Sequence, residues 1–381
     1  MRIAVLSPFY PYRGGIAQFS AMLYRALEPE HEIKAFSFSR LYPDFLFPGK
    51  TQLVGEHDHA IRIPSDRKLD SIGLFSYFST ARAIRKFQPD VLIIAYWMSF
   101  FAPAYTLIAK QLKKRTTIIG LLHNAIPHEP KFFDRFLAKR FFKQCHGFRV
   151  MCETVEKDLL SIWPEAHYGR KPHPIYNHFG EKPSSAIAKA RLGLNTNKKI
   201  LLFFGLIRDY KGLDLLIDAM EYLDDSYRLL IAGEAYGSFR KYQNRIDHSH
   251  AKDRIIVKNH YIDDKEVPVL FAAADVLVLP YKSATQSGVL PIAYHYEIPV
   301  VATDVGGLRD AIEKAGTGVV CTPDAQALAA GIEEIFRIGL EKLTANIRKE
   351  SKNLSWENFA ESLVDFAGQL HQAGAKNPSP Q

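Results

Sequence analysis

Ten short apolar runs recur along this chain, with helix-spaced stretches between them: RIAVL (2–6), VLIIA (91–95), TTIIGLL (116–122), GFRVMC (147–152), ILLFFG (200–205), YRLLIAG (227–233), RIIVK (254–258), DVLVLP (275–280), PVVAT (299–303) and GVVC (318–321). The runs are continuously apolar rather than alternating, which is the pattern of strands covered on both faces. Strand–helix alternation of this kind implies parallel sheets joined by right-handed crossovers. The fold class expected is therefore α/β, built from doubly wound parallel sheets. In such sheets ligands bind at the carboxyl ends of the strands.

A chain of 381 residues exceeds one ordinary core, so two domains are expected. The stretch KPHPIYNHFGEKPSS, Lys171 to Ser185, is rich in proline and polar residues, and a new strand–helix series starts after it. We place the boundary there, with one Rossmann-like domain over 1–175 and a second over 176–354. The cleft between two facing domains is the default site. The polar end, from about residue 373 to 381, is expected to be a disordered tail.

With 47% hydrophobic and 24% charged residues, the composition is that of a soluble globular chain. The three cysteines, Cys145, Cys152 and Cys321, have no metal-binding spacing and leave an odd thiol, which points to a reducing, cytoplasmic compartment. The first apolar run ends at Ser7-Pro8, too short for a signal-peptide core. Val91 to Ala109 is free of charge and near the length of a bilayer span, but Ser99 and Pro103 interrupt it. Its front is β-rich and its back helix-like, so it reads as a buried strand, an aromatic loop and a helix.

The net charge of +8 is uneven: residues 1–180 carry 25 Lys/Arg against 15 Asp/Glu, and Lys110 to Arg149 holds ten basic residues and two acidic ones. Such a patch suggests an anionic partner: phospholipid headgroups, a lipid-linked phosphate or nucleic acid. Nucleic acid is not expected, because the basic region contains no recognisable nucleic-acid module.

Five stretches at strand ends carry candidate chemistry. In FFGLIRDYKGLDLLIDA, Phe203 to Ala219, the apolar strand meets Gly205, then Arg208 and Lys211, then a helix whose face is Leu213, Leu216, Ile217 and Met220. Two cations beside a helix N-terminus can neutralise a diphosphate; a solvated charged turn is the alternative. In SATQSGVLP, Thr285, Gln286, Ser287 and Gly288 form a small polar loop before a helix with Pro291 in its first turn. Ser287 is placed to cap that helix, and Gly288 lets an anion approach backbone N–H groups. Gly14-Gly15 opens a helix after the first strand, but GxGxxG is lacking, so a nicotinamide cofactor is not supported. His123 leaves a strand in LLHNAIPHE; no zinc spacing occurs, and no metal is expected. In KFFDRFLAKRFFK, Phe133, Phe136, Leu137 and Phe141 are expected to form one apolar stripe, with Lys131, Arg135, Lys139 and Arg140 mostly elsewhere. That helix is either an ordinary core-facing helix or one lying near an anionic membrane surface.

The order of these elements carries more than any one of them. An N-terminal strand and GG loop, HN-x-x-PHE, FFG-x-IR-x-YKGLD, PYKSATQSG and PVVATDVGGL together resemble the retaining glycosyltransferases of family 4, over about residues 1–365. SWENFAESLVDF, Ser355 to Phe366, looks like that family's final helix, which crosses back to the N-terminal domain over about 355–372. The resemblance implies a GT-B fold and a nucleotide-sugar donor held by the C-terminal domain. It implies that Arg208 and Lys211 grip the donor diphosphate, that Ser287 and Gly288 meet its distal phosphate, and that Tyr261-Ile262, before a helix at Asp264, hold the base. It further implies that Gly15 approaches donor and acceptor and that His123 contacts the donor sugar.

The chain departs from the family where many members have two glutamates seven residues apart: Ala284 and Ile292 stand there. Ribose recognition must therefore differ. The expected function is a retaining, metal-independent sugar transfer to a lipid-linked or glycan acceptor, at the cytoplasmic face of a membrane. The only cofactor-like molecule expected is the donor itself. The alternative is a catalytically inactive nucleotide-sugar binding or scaffold protein of the same fold.

Overall fold

The structure is a computed structural model and describes residues 1–43, 51–55, 60–127, 131–176, 179–235, 237–285 and 287–376. Two compact units result. Described residues up to Pro174 join those from Ser355 onward in the first, and Ile175–Leu354 form the second.

The first unit is built on seven parallel strands: β1 (Arg2–Leu6), β2 (Glu32–Arg40), β3 (Ser65–Asp70), β4 (Val91–Tyr96), β5 (Thr117–Leu122), β6 (Gly147–Val150) and β7 (Tyr168–Arg170), in the order β3-β2-β1-β4-β5-β6-β7. The charge-free segment Val91–Ala109 becomes β4, a short 3-10 turn Ser99–Phe101 and the start of the helix Ala102–Leu112. No helix among the described residues is long and apolar enough to cross a membrane. The run GFRVMC stops as a strand at Val150; Met151 and Cys152 turn into the helix Glu153–Ile162. β2, β3 and β7 were not among the ten runs. β3 (SDRKLD) and β7 are edge strands with little burial, and only the middle of β2 is covered. An edge does not require the apolar pattern of a central strand.

The helix Trp356–Lys376 belongs to this first unit and packs on the helix Gly15–Leu27. Trp356 and Phe359 meet Phe19 at ring distances of 4.9 and 5.6 Å. Arg149, buried on β6, donates to the Ser362 carbonyl and lays its guanidinium over the Phe366 ring. The helix continues to Lys376, beyond the expected end near 372, so residues 373–376 are not the disordered tail expected of them. Gly374 does not stop it, since one glycine costs a helix only about 1 kcal/mol relative to alanine.

The second unit has six parallel strands: β8 (Lys199–Phe204), β9 (Tyr227–Ala232), β10 (Ile255–Lys258), β11 (Val276–Leu279), β12 (Val300–Thr303) and β13 (Gly318–Cys321), in the order β10-β9-β8-β11-β12-β13. Leu213, Leu216, Ile217 and Met220 are fully buried in its core, the face their spacing predicts. Each contributes about 1.5–3 kcal/mol by leaving water. Strand order reverses between β8 and β11, so the loops that follow these two strands part at a topological switch point, where open α/β sheets bind ligands.

Candidate functional site

The two loops at this switch point are the two anion-competent stretches of the sequence. After β8 the chain passes Gly205 and Arg208, makes a 3-10 turn over Asp209–Lys211, and enters the helix Leu213–Ala219 through Gly212. Gly212 has φ +65°, and a Cβ there would lie 1.9 Å from the Pro280 carbonyl oxygen. Glycine at this position thus lets the β8 loop press on the β11 loop, and the Lys282 N–H donates to the Tyr210 carbonyl at 2.7 Å. On the other side, Gly306 (φ +57°) passes the Ala284 carbonyl equally closely, and the Gly307 N–H donates to the Thr285 carbonyl. The polar loop is held between its neighbours by backbone contact.

Lys211 is 8% exposed. Its Nζ lies 5.7 Å from the Tyr281 ring centre and 3.3 Å from where a Cβ on Gly205 would be. Burial, and then repulsion from Arg208, push its pKa down to about 8. No carboxylate among the described residues acts on it. The other cations nearby are neutralised: Lys241 pairs with Asp209, and Lys282 with Asp214. Arg208 is half-buried, with its guanidinium 5.9 Å from the Tyr210 ring.

Val289 reaches the same spot from the β11 loop, its Cγ2 3.5 Å from that notional Cβ on Gly205. The loop is shaped by Tyr281. Its hydroxyl pairs with Ser287 Oγ at 3.2 Å, and Ser287 Oγ accepts the Val289 N–H at 3.2 Å. Thr303 Oγ1 donates to the Tyr281 carbonyl and fixes the base of the loop on β12. The structure thus brings Gly205, Lys211, Ser287 and Val289 together. Gly288 is exposed, with nothing within 4 Å of a notional Cβ, so its backbone is open to approach. Thr285 is buried, and Gln286 lies outside the described residues.

Two expectations need correction here. Ser287 does not cap the following helix: that helix is Leu290–His295 with Val289 at its N-cap, because Ser287 is bound locally to Val289 and Tyr281. With six residues its dipole is small, and individual N–H groups are what it offers an anion. The helix expected at Asp264 begins at Val267, since the buried Asp264 sits in a preceding turn. Tyr261, half-buried, and Ile262, buried, follow β10 at the sheet edge, two strands from β8.

In the first unit, His123 directly follows β5, and its N–H donates to the Tyr96 carbonyl. Its ring stands edge-on to Phe19 at 4.9 Å. Burial, helped by the neighbouring His173, lowers its pKa to about 3, so the ring is neutral near pH 7. His173 packs on the same Phe19 ring, and burial lowers its pKa to about 4. Sequence reasoning missed His173 because it lies in the proline-rich stretch taken as a boundary; no local spacing ties it to His123. Gly15 opens the helix Gly15–Leu27, with Gly14 at φ +110° before it.

Lys131, Arg135, Lys139 and Arg140 are all exposed. The single apolar stripe expected beside them is split. Ala138, Phe141 and Phe142 face the core, Leu137 is partly buried, and Phe133 and Phe136 point outward. The helix Asp134–Phe142 is rotated so that its 134/138/141/142 face is buried in the core, with Leu137 at the margin and Phe133 and Phe136 outside it.

Fold and site together define a two-unit parallel α/β protein with an anion-competent switch point. Residues 13–178 match the family described as Glycosyltransferase Family 4, and residues 184–354 match Glycosyl transferases group 1. The chain belongs to the family-4 type of glycosyltransferases, with the GT-B fold. It is 29% identical over 199 residues to a D-inositol 3-phosphate glycosyltransferase of Xylanimonas cellulosilytica, covering 49% of this chain and 47% of that protein. It is 30% identical over 193 residues to a lipopolysaccharide core biosynthesis mannosyltransferase of Rhizobium meliloti, covering 46% of this chain and 53% of that one. The chain thus matches about half the length of these curated relatives. Among solved structures, sucrose-phosphate synthase of Thermosynechococcus elongatus superposes with a TM-score of 0.75 at 20% identity, covering 98% of this chain and 99% of that one. The HepE protein of Anabaena, solved in complex with UDP, superposes with a TM-score of 0.70 at 16% identity, covering 99% and 100%.

Proposed function

We propose that this protein transfers a sugar from a nucleoside-diphosphate donor to a hydroxyl of a lipid-linked or glycan acceptor, with retention at the anomeric carbon. The observation that carries the reading is Lys211: a buried ammonium on which no carboxylate among the described residues acts, at the switch point beside the Ser287–Val289 loop. Burying a cation without a partner costs several kcal/mol. A donor diphosphate would supply the missing charge. As the bond from the anomeric carbon to the diphosphate oxygen breaks, negative charge grows on that oxygen, and Lys211 and Arg208 would stabilise it. The acceptor oxygen bonds to the same carbon, and its proton leaves with the diphosphate. Retention is supported by the family resemblance, and so are Tyr261 and Ile262 as the base site and Gly15 as a donor-side loop. His123 is neutral, so its contact to the sugar would be a hydrogen bond. The two cations would make a divalent ion unnecessary, and turnover should then persist in a chelator.

A second reading, a donor-binding protein without turnover, is favoured by one observation. Ile292 is apolar and buried and Ala284 carries no polar group, so neither position can bind ribose hydroxyls as the family's glutamate does. Thermal shift with UDP, GDP, ADP, CDP and TDP, on wild type and on Arg208→Ala/Lys211→Ala, tests donor binding. A rise with one diphosphate, lost in the double variant, supports the site; no rise with any of them sinks it. Release of sugar from the matching donor separates the transferase from the inactive protein.

A further inference from the structure

We propose that the first unit docks on an anionic lipid surface through the outer face of three neighbouring helices, Leu74–Phe87, Ala102–Leu112 and Asp134–Phe142. These helices follow β3, β4 and β5, and the middle one packs against both others, so they form one layer on one face of the sheet. Because each follows a parallel strand, their N-termini lie at the same rim. At one end of that rim Leu74, Phe75 and Phe78 are exposed, Phe75 to 90%. At the other end Phe132, Phe133 and Phe136 are exposed, Phe132 to 96%. Lone exposed apolar residues are ordinary, but two aromatic groups flanking one rim mark an interaction surface.

The charge on this layer has one sign. Arg82, Lys86, Lys110, Arg135, Lys139 and Arg140 are exposed on it, and none of them pairs with a carboxylate within 4 Å among the described residues. Arg135 donates to Ser161, and Arg140 stacks on Phe136 at 4.8 Å. The three helices contain one acid, Asp134, which is buried against Ser99 and the Lys131 N–H. A cationic face complements an anionic surface, and phenylalanines gathered at the rim of a helix layer, rather than spaced along a groove that could stack successive bases, suit an acyl boundary.

The inference deepens the lipid-linked acceptor reading, and its test uses neither donor nor acceptor, so the two can fail separately. Flotation is measured with vesicles of phosphatidylcholine alone and with about 30% phosphatidylglycerol, a strongly anionic surface. Wild type should float with the anionic vesicles and not with the neutral ones. Phe75→Ser/Phe132→Ser should bind about tenfold more weakly at an unchanged melting temperature, since both rings already face solvent. Lys139→Glu/Arg140→Glu should lose on the order of thirtyfold. Three results would overturn the proposal: no vesicle binding, vesicle binding indifferent to the phenylalanines, or light scattering that shows a dimer lost in the Phe75→Ser/Phe132→Ser variant.

Discussion

Around the Ile175–Leu354 sheet, four surface cations are held by carboxylates: Lys241 by Asp209, Lys282 by Asp214, Arg245 by Asp218 and Arg309 by Asp304. On the helix layer of the other unit, cations of the same kind make no ion pair within 4 Å among the described residues, and phenylalanines stand among them. One architecture thus carries two charge arrangements. In the second unit the buried Lys189 is paired with Asp275, and the buried Lys211 is the specific demand for an anion. In the first unit the demand is diffuse, spread over exposed side chains that salt would screen. An anion site built on one buried lysine should respond steeply to single substitutions; a basic face should respond by increments.

Substitution at Lys211 is expected to have the largest effect. Lys211→Met removes the charge that meets the leaving diphosphate and should lower turnover by about a thousandfold, read from kcat/KM with the donor identified by thermal shift. Next comes Gly306→Ala. A methyl there would fall 1.9 Å from the Ala284 carbonyl at a positive φ. It should destabilise the protein by about 2–4 kcal/mol in denaturant unfolding and weaken donor binding with it.

A smaller effect comes from pH. The Lys211 pKa is lowered to about 8, so its ammonium loses its proton as pH rises through that value. The Kd for the diphosphate should rise about tenfold between roughly pH 7 and 9, measured by calorimetry. The sign for stability is opposite. The unfolded lysine holds its proton up to the ordinary lysine value of 10.5, so this group lowers stability below about pH 8 and the loss is relieved between there and 10.5. Smallest is Tyr281→Phe, which frees Ser287 from one partner and should weaken donor binding about fivefold, with the fold intact.

Much of this contrast was legible in the sequence. Eight of the ten apolar runs became strands interior to their sheets, where burial on both faces writes a continuous pattern; the other two, β10 and β13, are half-buried edge strands that are apolar all the same, whereas the edge strand β3 with its four charges wrote no such run. Arg208, Lys211, Ser287 and Gly288 could be placed at strand ends because doubly wound topology puts functional turns there. Tyr281 could not be found, since its role depends on a hydroxyl meeting Ser287 across a folded loop. His173 was hidden because its partner Phe19 lies far away in sequence. The outward turn of Phe133 and Phe136 was hidden because spacing fixes which residues share a helix face, not which face the sheet selects.

The central claim is that Lys211 is held at a cost to stability in order to meet an anion. The direct measurement is the melting temperature of wild type and Lys211→Met, each with and without the nucleoside diphosphate that wild type binds. We expect the variant without ligand to melt higher than wild type, by the equivalent of about 2 kcal/mol, and to show no rise with the diphosphate. A variant that melts lower than wild type, yet is still stabilised by the ligand, would contradict the account.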